Sequence, residues 1–160
     1  MRSLVIYDSF FGNTQKISLE IGRGLGELTD VVNVRDFKKS LLEDIEQIVI
    51  GSPTRAFRPT SKIVSLLKRI SKSNKNLNVA IFDTRMHIKD TDPWILRKLE
   101  KKFGYAVDTM QKIVEKSSNL KMSSVSWFYV EGTEGPTSED ELARAKEWSK
   151  ELVWFRINLI

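Results

Sequence analysis

Ser9, Gly12, Asn13 and Thr14, inside the stretch Tyr7-Asp8-Ser9-Phe10-Phe11-Gly12-Asn13-Thr14, are the residues whose types and spacing could hold an anion. The two hydroxyls supply hydrogen-bond donors. Gly12 lets a ligand approach the backbone, and Asn13 tolerates the left-handed turn such loops often need. An apolar run, Leu4-Val5-Ile6-Tyr7, comes before the stretch, and Ile17, Ile21, Leu25 and Leu28 fall on one helical face after it. The order is strand, tight turn, helix. In that geometry the helix N-terminus aims free N–H groups and a partial positive charge at a phosphate above the strand end. An ordinary glycine-containing strand-to-helix turn has the same outline, so the assignment depends on the other loops. Other phosphate loops match poorly: there is no G-x-x-x-x-G-K-[ST], and Gly22, Gly24 and Gly26 have the wrong spacing for a dinucleotide fingerprint.

Two further stretches carry chemistry. Gly51-Ser52-Pro53-Thr54-Arg55-Ala56-Phe57-Arg58-Pro59-Thr60 is rich in turn residues yet sets an aromatic between two arginines. Asp83-Thr84-Arg85-Met86-His87 follows an apolar run. Each residue also has a plain structural reading: Phe57 as a loop anchor, Arg55 and Arg58 as solvated charges, Asp83 as a turn cap, His87 as a surface side chain. Trp94 fits packing beneath a helix or cover for a flat ligand. Glu131-Gly132-Thr133-Glu134-Gly135-Pro136 suits a mobile turn or a partner contact, with no chemistry of its own.

Composition removes several classes. With no cysteine, the chain has no disulfide, thiol nucleophile, thiolate zinc or cysteine-ligated iron–sulfur cluster, and a single histidine argues against a histidine metal site. Neither the N-terminal apolar run nor Leu152–Ile160 is long enough to span a membrane, so a soluble cytoplasmic protein is expected. The first 86 residues hold 14 basic and 9 acidic side chains and so carry the whole net charge of +5. Such charge fits nucleic acid or an acidic partner, but a solvated surface is its usual meaning.

Taken in order, the elements alternate. Val31–Val34 and Ile45–Ile50 read as the second and third strands, and Ile63, Leu66, Leu67 and Ile70 as a helix. Val79–Phe82 is the fourth strand. Helical patterns follow at Ile95, Leu96, Leu99 and Phe103, then at Ala106, Met110 and Ile113. Leu120–Val130 is a fifth strand bent at Ser123-Ser124. A capping box of Ser138 with Glu141 opens the last helix, which carries Leu142, Ala145, Trp148 and Leu152. Without repeats or linkers, residues 1–160 read as one α/β domain: a doubly wound parallel sheet with helices on both faces. Ligands bind such sheets beyond the carboxyl ends of the strands, where the three unusual loops converge.

Read together, these segments resemble the flavodoxin family. "YDSFFGNT", "GSPTRAFRPT", "FDTRM" and "FYVEGTEGPTSEDELARAKEW" are similar, in that order, to an archaeal and bacterial subgroup of flavodoxin-domain proteins. The family's phosphate loop runs hydroxyl, any, hydroxyl, Gly, any, Thr; Ser9, Gly12 and Thr14 match it and Phe11 replaces the middle hydroxyl. The resemblance implies a five-stranded, three-layer sandwich in strand order 2-1-3-4-5, of the short-chain type, with one non-covalent FMN. It implies that Ser9, Gly12, Asn13 and Thr14 cradle the phosphate, with N–H groups from Phe10 and Phe11. Ser52, Pro53 and Thr54 would line the ribityl and pyrimidine side, beside Arg55. Phe57 would cover the ring, and Asp83, Thr84, Arg85 and Met86 would border it. Residues 87–103 would form an enlarged loop after strand four.

The leading expectation is an electron carrier working with a redox partner that presents an acidic docking face. No nucleic acid or membrane span is expected, and the apolar tail 153–160 offers a homodimer interface. Two alternatives stay open: an FMN-dependent NAD(P)H reductase of quinones or other small acceptors, and a non-redox binding protein that has lost FMN. Arg55, Arg58 and Arg85 on the flavin loops would raise the flavin's potential relative to an acidic family member.

Overall fold

The computed structural model describes residues 2–86, 94, 97, 98, 101, 102 and 104–157. His87, the apolar positions Ile95, Leu96, Leu99 and Phe103, and the end of the C-terminal tail lie outside the described residues. Five strands, β1 (Arg2–Tyr7), β2 (Thr29–Asn33), β3 (Ile45–Pro53), β4 (Leu77–Met86) and β5 (Leu120–Val130), alternate with helices α1 (Asn13–Leu25), α2 (Ser61–Ile70), α3 (Ala106–Glu115) and α4 (Glu139–Ile157). Two short 3-10 helices, Val34–Asp36 and Lys39–Leu42, join β2 to β3. Every strand pair is parallel, and the order is β2-β1-β3-β4-β5.

The period of two in the central strands sorts their side chains into two cores. Leu4, Ile6, Ile48, Ile50, Val79 and Ile81 pack on one face with Ile63, Leu67, Met110 and Val114 from α2 and α3. Val5, Val49, Ala80 and Phe82 pack on the other with Ile17 and Ile21 of α1 and Trp148 and Leu152 of α4. Phe82, Phe128 and Trp148 meet edge to face there, with ring centroids 5.7–6.2 Å apart. Strands buried on both faces explain why the sequence shows apolar runs rather than alternation. The outcome is the expected three-layer sandwich. Helix α1 lies close against α4 because Gly24 has no side chain: a Cβ there would fall 1.8 Å from the Ser149 hydroxyl.

Three expectations are corrected. Strand β4 does not end at Phe82 but continues through Met86, because the long β5 keeps pairing beside it, Asp83 with Trp127 and Met86 with Val130. Strand β3 likewise runs to Pro53, opposite Thr84. The capping box of the last helix is half formed. Ser138 accepts the Glu141 N–H at 3.3 Å, but the Glu141 carboxylate takes the Tyr129 N–H of β5 at 2.7 Å instead of reaching back. The bend at Ser123-Ser124 is present as a register shift, Val79 facing Met122 and Ala80 facing Ser124.

Candidate functional site

The site grows from the end of β1. Asp8 is buried and accepts the Ser9 N–H at 3.0 Å, while the Ser9 hydroxyl accepts the Gly12 N–H at 3.1 Å, curling the loop into a compact turn. Gly12, not Asn13, takes the left-handed conformation, with φ 85°. A Cβ there would meet nothing within 4 Å, so the missing side chain leaves open space before the helix. No side chain caps the α1 N-terminus, so its first-turn N–H groups face that space.

Asn13 is the first residue of α1, and its amide clamps the loop after β5: Nδ2 donates to the Glu134 carbonyl at 2.8 Å and Oδ1 accepts the Thr137 hydroxyl at 3.0 Å. The 131–136 segment thus has a structural duty that its composition did not announce. The Thr14 hydroxyl shares a 2.8 Å hydrogen bond with that of Thr84, tying the first loop to β4.

Around this turn lies a cleft of about 250 Å³. Of the expected site residues, Ser9, Phe10, Phe11, Asn13, Thr14, Pro53, Thr54, Arg55, Thr84, Arg85 and Met86 line it. Ala56, Val130 and Thr133 line it as well and were not foreseen. Thr133 donates to the Met86 sulfur at 3.7 Å, bringing the last loop over the end of β4. Phe10 and Phe11 remain 53% and 47% exposed at the mouth. Among the described residues the lining contains two arginines and no carboxylate.

Ser52, Phe57 and Asp83 are not brought to the cleft. Ser52 is buried and its hydroxyl accepts the Thr60 N–H at 3.0 Å, closing the loop between β3 and α2. At the tip of that loop Arg55 and Arg58 exchange two backbone hydrogen bonds of 2.9 Å around Ala56 and Phe57, both at positive φ. That is a two-residue hairpin turn built without the glycine or asparagine it normally demands. The Phe57 ring packs on Tyr105, centroids 6.3 Å apart.

Asp83 is wholly buried under the wall. Its two oxygens accept Nε and Nη2 of Arg85 at 2.7 Å each, and one also accepts the Val107 N–H at the start of α3. Burial pushes its carboxyl above the ordinary value, against the pull of Arg85 and the Val107 N–H. The Arg85 guanidinium then lies 3.7 Å from the Tyr105 ring centroid and 5.1 Å from that of Trp127. Thr54 accepts the Ala106 N–H at 3.1 Å, so α3 is fastened to both walls of the cleft. Trp94 is exposed rather than packed under a helix. Among the described residues no cluster of histidine, aspartate and glutamate could hold a metal, and no helix is long and apolar enough to cross a membrane.

Sheet order and cleft define a doubly wound α/β protein whose site opens at the reversal of strand order, between the ends of β1 and β3. The family model described as a flavodoxin domain, Flavodoxin_5, matches residues 4–148, and the chain belongs to that family. Among solved structures the chain is similar to a flavodoxin from the domain Archaea, at 16% identity over 95% of this chain and 96% of that one, TM-score 0.62. The flavodoxin of Streptococcus pneumoniae TIGR4 is 14% identical over 96% and 98% of the two chains, TM-score 0.68. The rubredoxin oxygen:oxidoreductase of Desulfovibrio gigas, at 14% identity and TM-score 0.59, matches 99% of this chain with 37% of its own. At these identities the likeness is one of fold. No curated protein matches the sequence.

Proposed function

We propose that the protein binds FMN without a covalent bond in this cleft and exchanges electrons with a redox partner. The observation that supports the reading best is the lining. An uncapped helix N-terminus opened by Gly12 stands at one end, and among the described residues the walls carry two arginines and no carboxylate. A phosphate monoester needs the first and is repelled by carboxylates. Ser9, Thr14 and the N–H groups of Phe10, Phe11, Asn13 and Thr14 would hold the phosphate, with Asn13 locking the loop from behind. Pro53 and Thr54 would follow the ribityl chain, and Thr84, Arg85 and Met86 would border the ring. Asp83 would act from beneath by fixing Arg85, and Ser52 and Phe57 by bracing the hairpin. FMN supplies the uptake and release of one or two electrons. Exposed Arg58, which closes the hairpin with Arg55, and exposed Lys62 in the first turn of α2 would favour a partner that presents carboxylates.

The visible spectrum of the purified protein tests this, followed by chromatography of the heat-released cofactor against FMN and FAD standards. FMN is expected. Recovery of FAD, or no flavin after reconstitution, overturns the reading. NADH or NADPH alone should leave the bound flavin coloured; rapid bleaching would make the protein a reductase instead of a carrier.

A further inference from the structure

Two cations line the cleft among the described residues, and their situations differ. Arg85 is taken by Asp83. Arg55 makes no ion pair among the described residues, and its guanidinium carbon stands 4.6 Å from the Phe10 ring centroid and 5.9 Å from that of Phe11. A full positive charge therefore sits over the turn at the α1 N-terminus. Its backbone is held there: Thr54 N–H donates to the Thr84 carbonyl at 2.8 Å, and Arg55 and Arg58 close the hairpin. Positive φ at Ala56 (46°) and Phe57 (63°) makes that hairpin costly for non-glycine residues, so the rest of the loop must enforce it.

Stacking occupies the face of a guanidinium, whereas hydrogen bonds to phosphate use its in-plane edge. The Phe10–Phe11 platform can therefore position Arg55 without consuming its donors. Position 11 in turn presents a phenyl ring, which donates nothing to an anion, where a hydroxyl would have donated.

We propose that Arg55, seated on Phe10 and Phe11, is the charged donor that closes the phosphate end of the cleft in place of a hydroxyl at position 11, and so selects phosphorylated over unphosphorylated flavin. The proposal rests on the flavin reading above and deepens it.

The test is a fluorescence titration of the apoprotein with FMN and, separately, with riboflavin. Arg55→Gln should weaken FMN binding by about tenfold, as expected for a hydrogen bond to a charged group, and leave riboflavin binding unchanged. Phe11→Ser added to Arg55→Gln should restore part of the FMN affinity by returning a hydroxyl donor to the loop. Inorganic phosphate should compete with FMN more strongly in the wild type than in Arg55→Gln. Equal losses for both flavins would make Arg55 a packing residue, and no loss for either would leave it in solvent; each overturns the proposal. Phe11→Ser without recovery removes the compensation argument and overturns it in that form. A wild-type protein that binds neither flavin overturns the flavin reading and this proposal with it, an outcome distinct from the others.

Discussion

Asp83 shows what a single residue needs from distant chain. Read locally, an aspartate after an apolar run is a turn cap. In the structure it is a buried strand residue whose partners are Arg85, two positions on and on the same side of the strand, and the Val107 N–H of the next helix. Neither the pairing of β4 with β5 nor the docking of α3 can be read from "FDTRM", so the segment shows which loop reaches the cleft rim but not that Asp83 lies beneath the wall rather than in it. Asn13 likewise reads locally as a residue suited to the left-handed turn, because its clamp on 131–136 lies more than a hundred residues away.

Burial raises the Asp83 carboxyl above its ordinary 3.8, Arg85 and the Val107 N–H opposing. The folded state then holds that proton more tightly than the unfolded chain does. Between 3.8 and the raised native value the native state binds more protons, so this residue's contribution to stability falls as pH rises through that window. Asp83→Asn should remove the slope. It removes the counter-charge of Arg85 only where Asp83 is ionised, so the offset between the two proteins should change across that window rather than stay constant. Urea midpoints of both proteins from pH 4 upward decide the matter; parallel curves would mean that Asp83 titrates alike folded and unfolded.

Among the elements, β5 poses the hardest physical problem, because it lies at the edge of the sheet with unpaired backbone groups. Helix α4 meets them with side chains. Glu141 accepts the Tyr129 N–H, Arg144 donates to the Trp127 carbonyl at 2.6 Å, and the two side chains bridge each other. This use explains why the capping box is incomplete: the carboxylate that would have closed it is needed at the edge. Sequence pattern found the helix start at Ser138 but not this use of Glu141, since edge positions follow from strand order. Replacing Glu141 and Arg144 together by alanine should leave the fold intact, cost about 1–2 kcal/mol in lost hydrogen bonds, and open the edge to pairing. Concentration-dependent association in sedimentation velocity beyond that of the wild type is the expected result. A double variant that associates no more than the wild type would show that the edge is protected by other means. By contrast Gly24→Ala acts on packing: with the Ser149 hydroxyl in its way, it should separate α1 from α4 and cost about 1–3 kcal/mol.

At the scale of the whole molecule, the alternation of apolar runs and helical stripes is enough for the layer architecture, because each buried strand must be covered on two faces. Strand order came from the resemblance and not from the pattern. Charge distribution is the property that pattern reads directly. Residues 51–86 carry eight basic side chains and one acid, and that acid, Asp83, is buried and paired. The opposite rim of the cleft bears exposed Glu131 and Glu134, so the mouth is polarised, with the basic side heavier. Field lines of this kind steer ions of one sign and are screened over about 30 Å at 10 mM salt but about 8 Å at 150 mM. If bound flavin is reached through that mouth, the sign of the field can be read from small acceptors of opposite charge. The holoprotein, reduced with dithionite, should reoxidise faster with ferricyanide at low ionic strength and slow as salt rises. With hexaammineruthenium(III) the same salt series should speed the reaction. Arg58→Gln with Lys62→Gln should flatten both trends while leaving FMN affinity unchanged, because neither side chain lines the cleft. Anion and cation series of equal slope would mean that the mouth carries no net field and overturn the charge argument; slopes of reversed sign would mean that Glu131 and Glu134 set the field, and a basic partner would then be the one that fits.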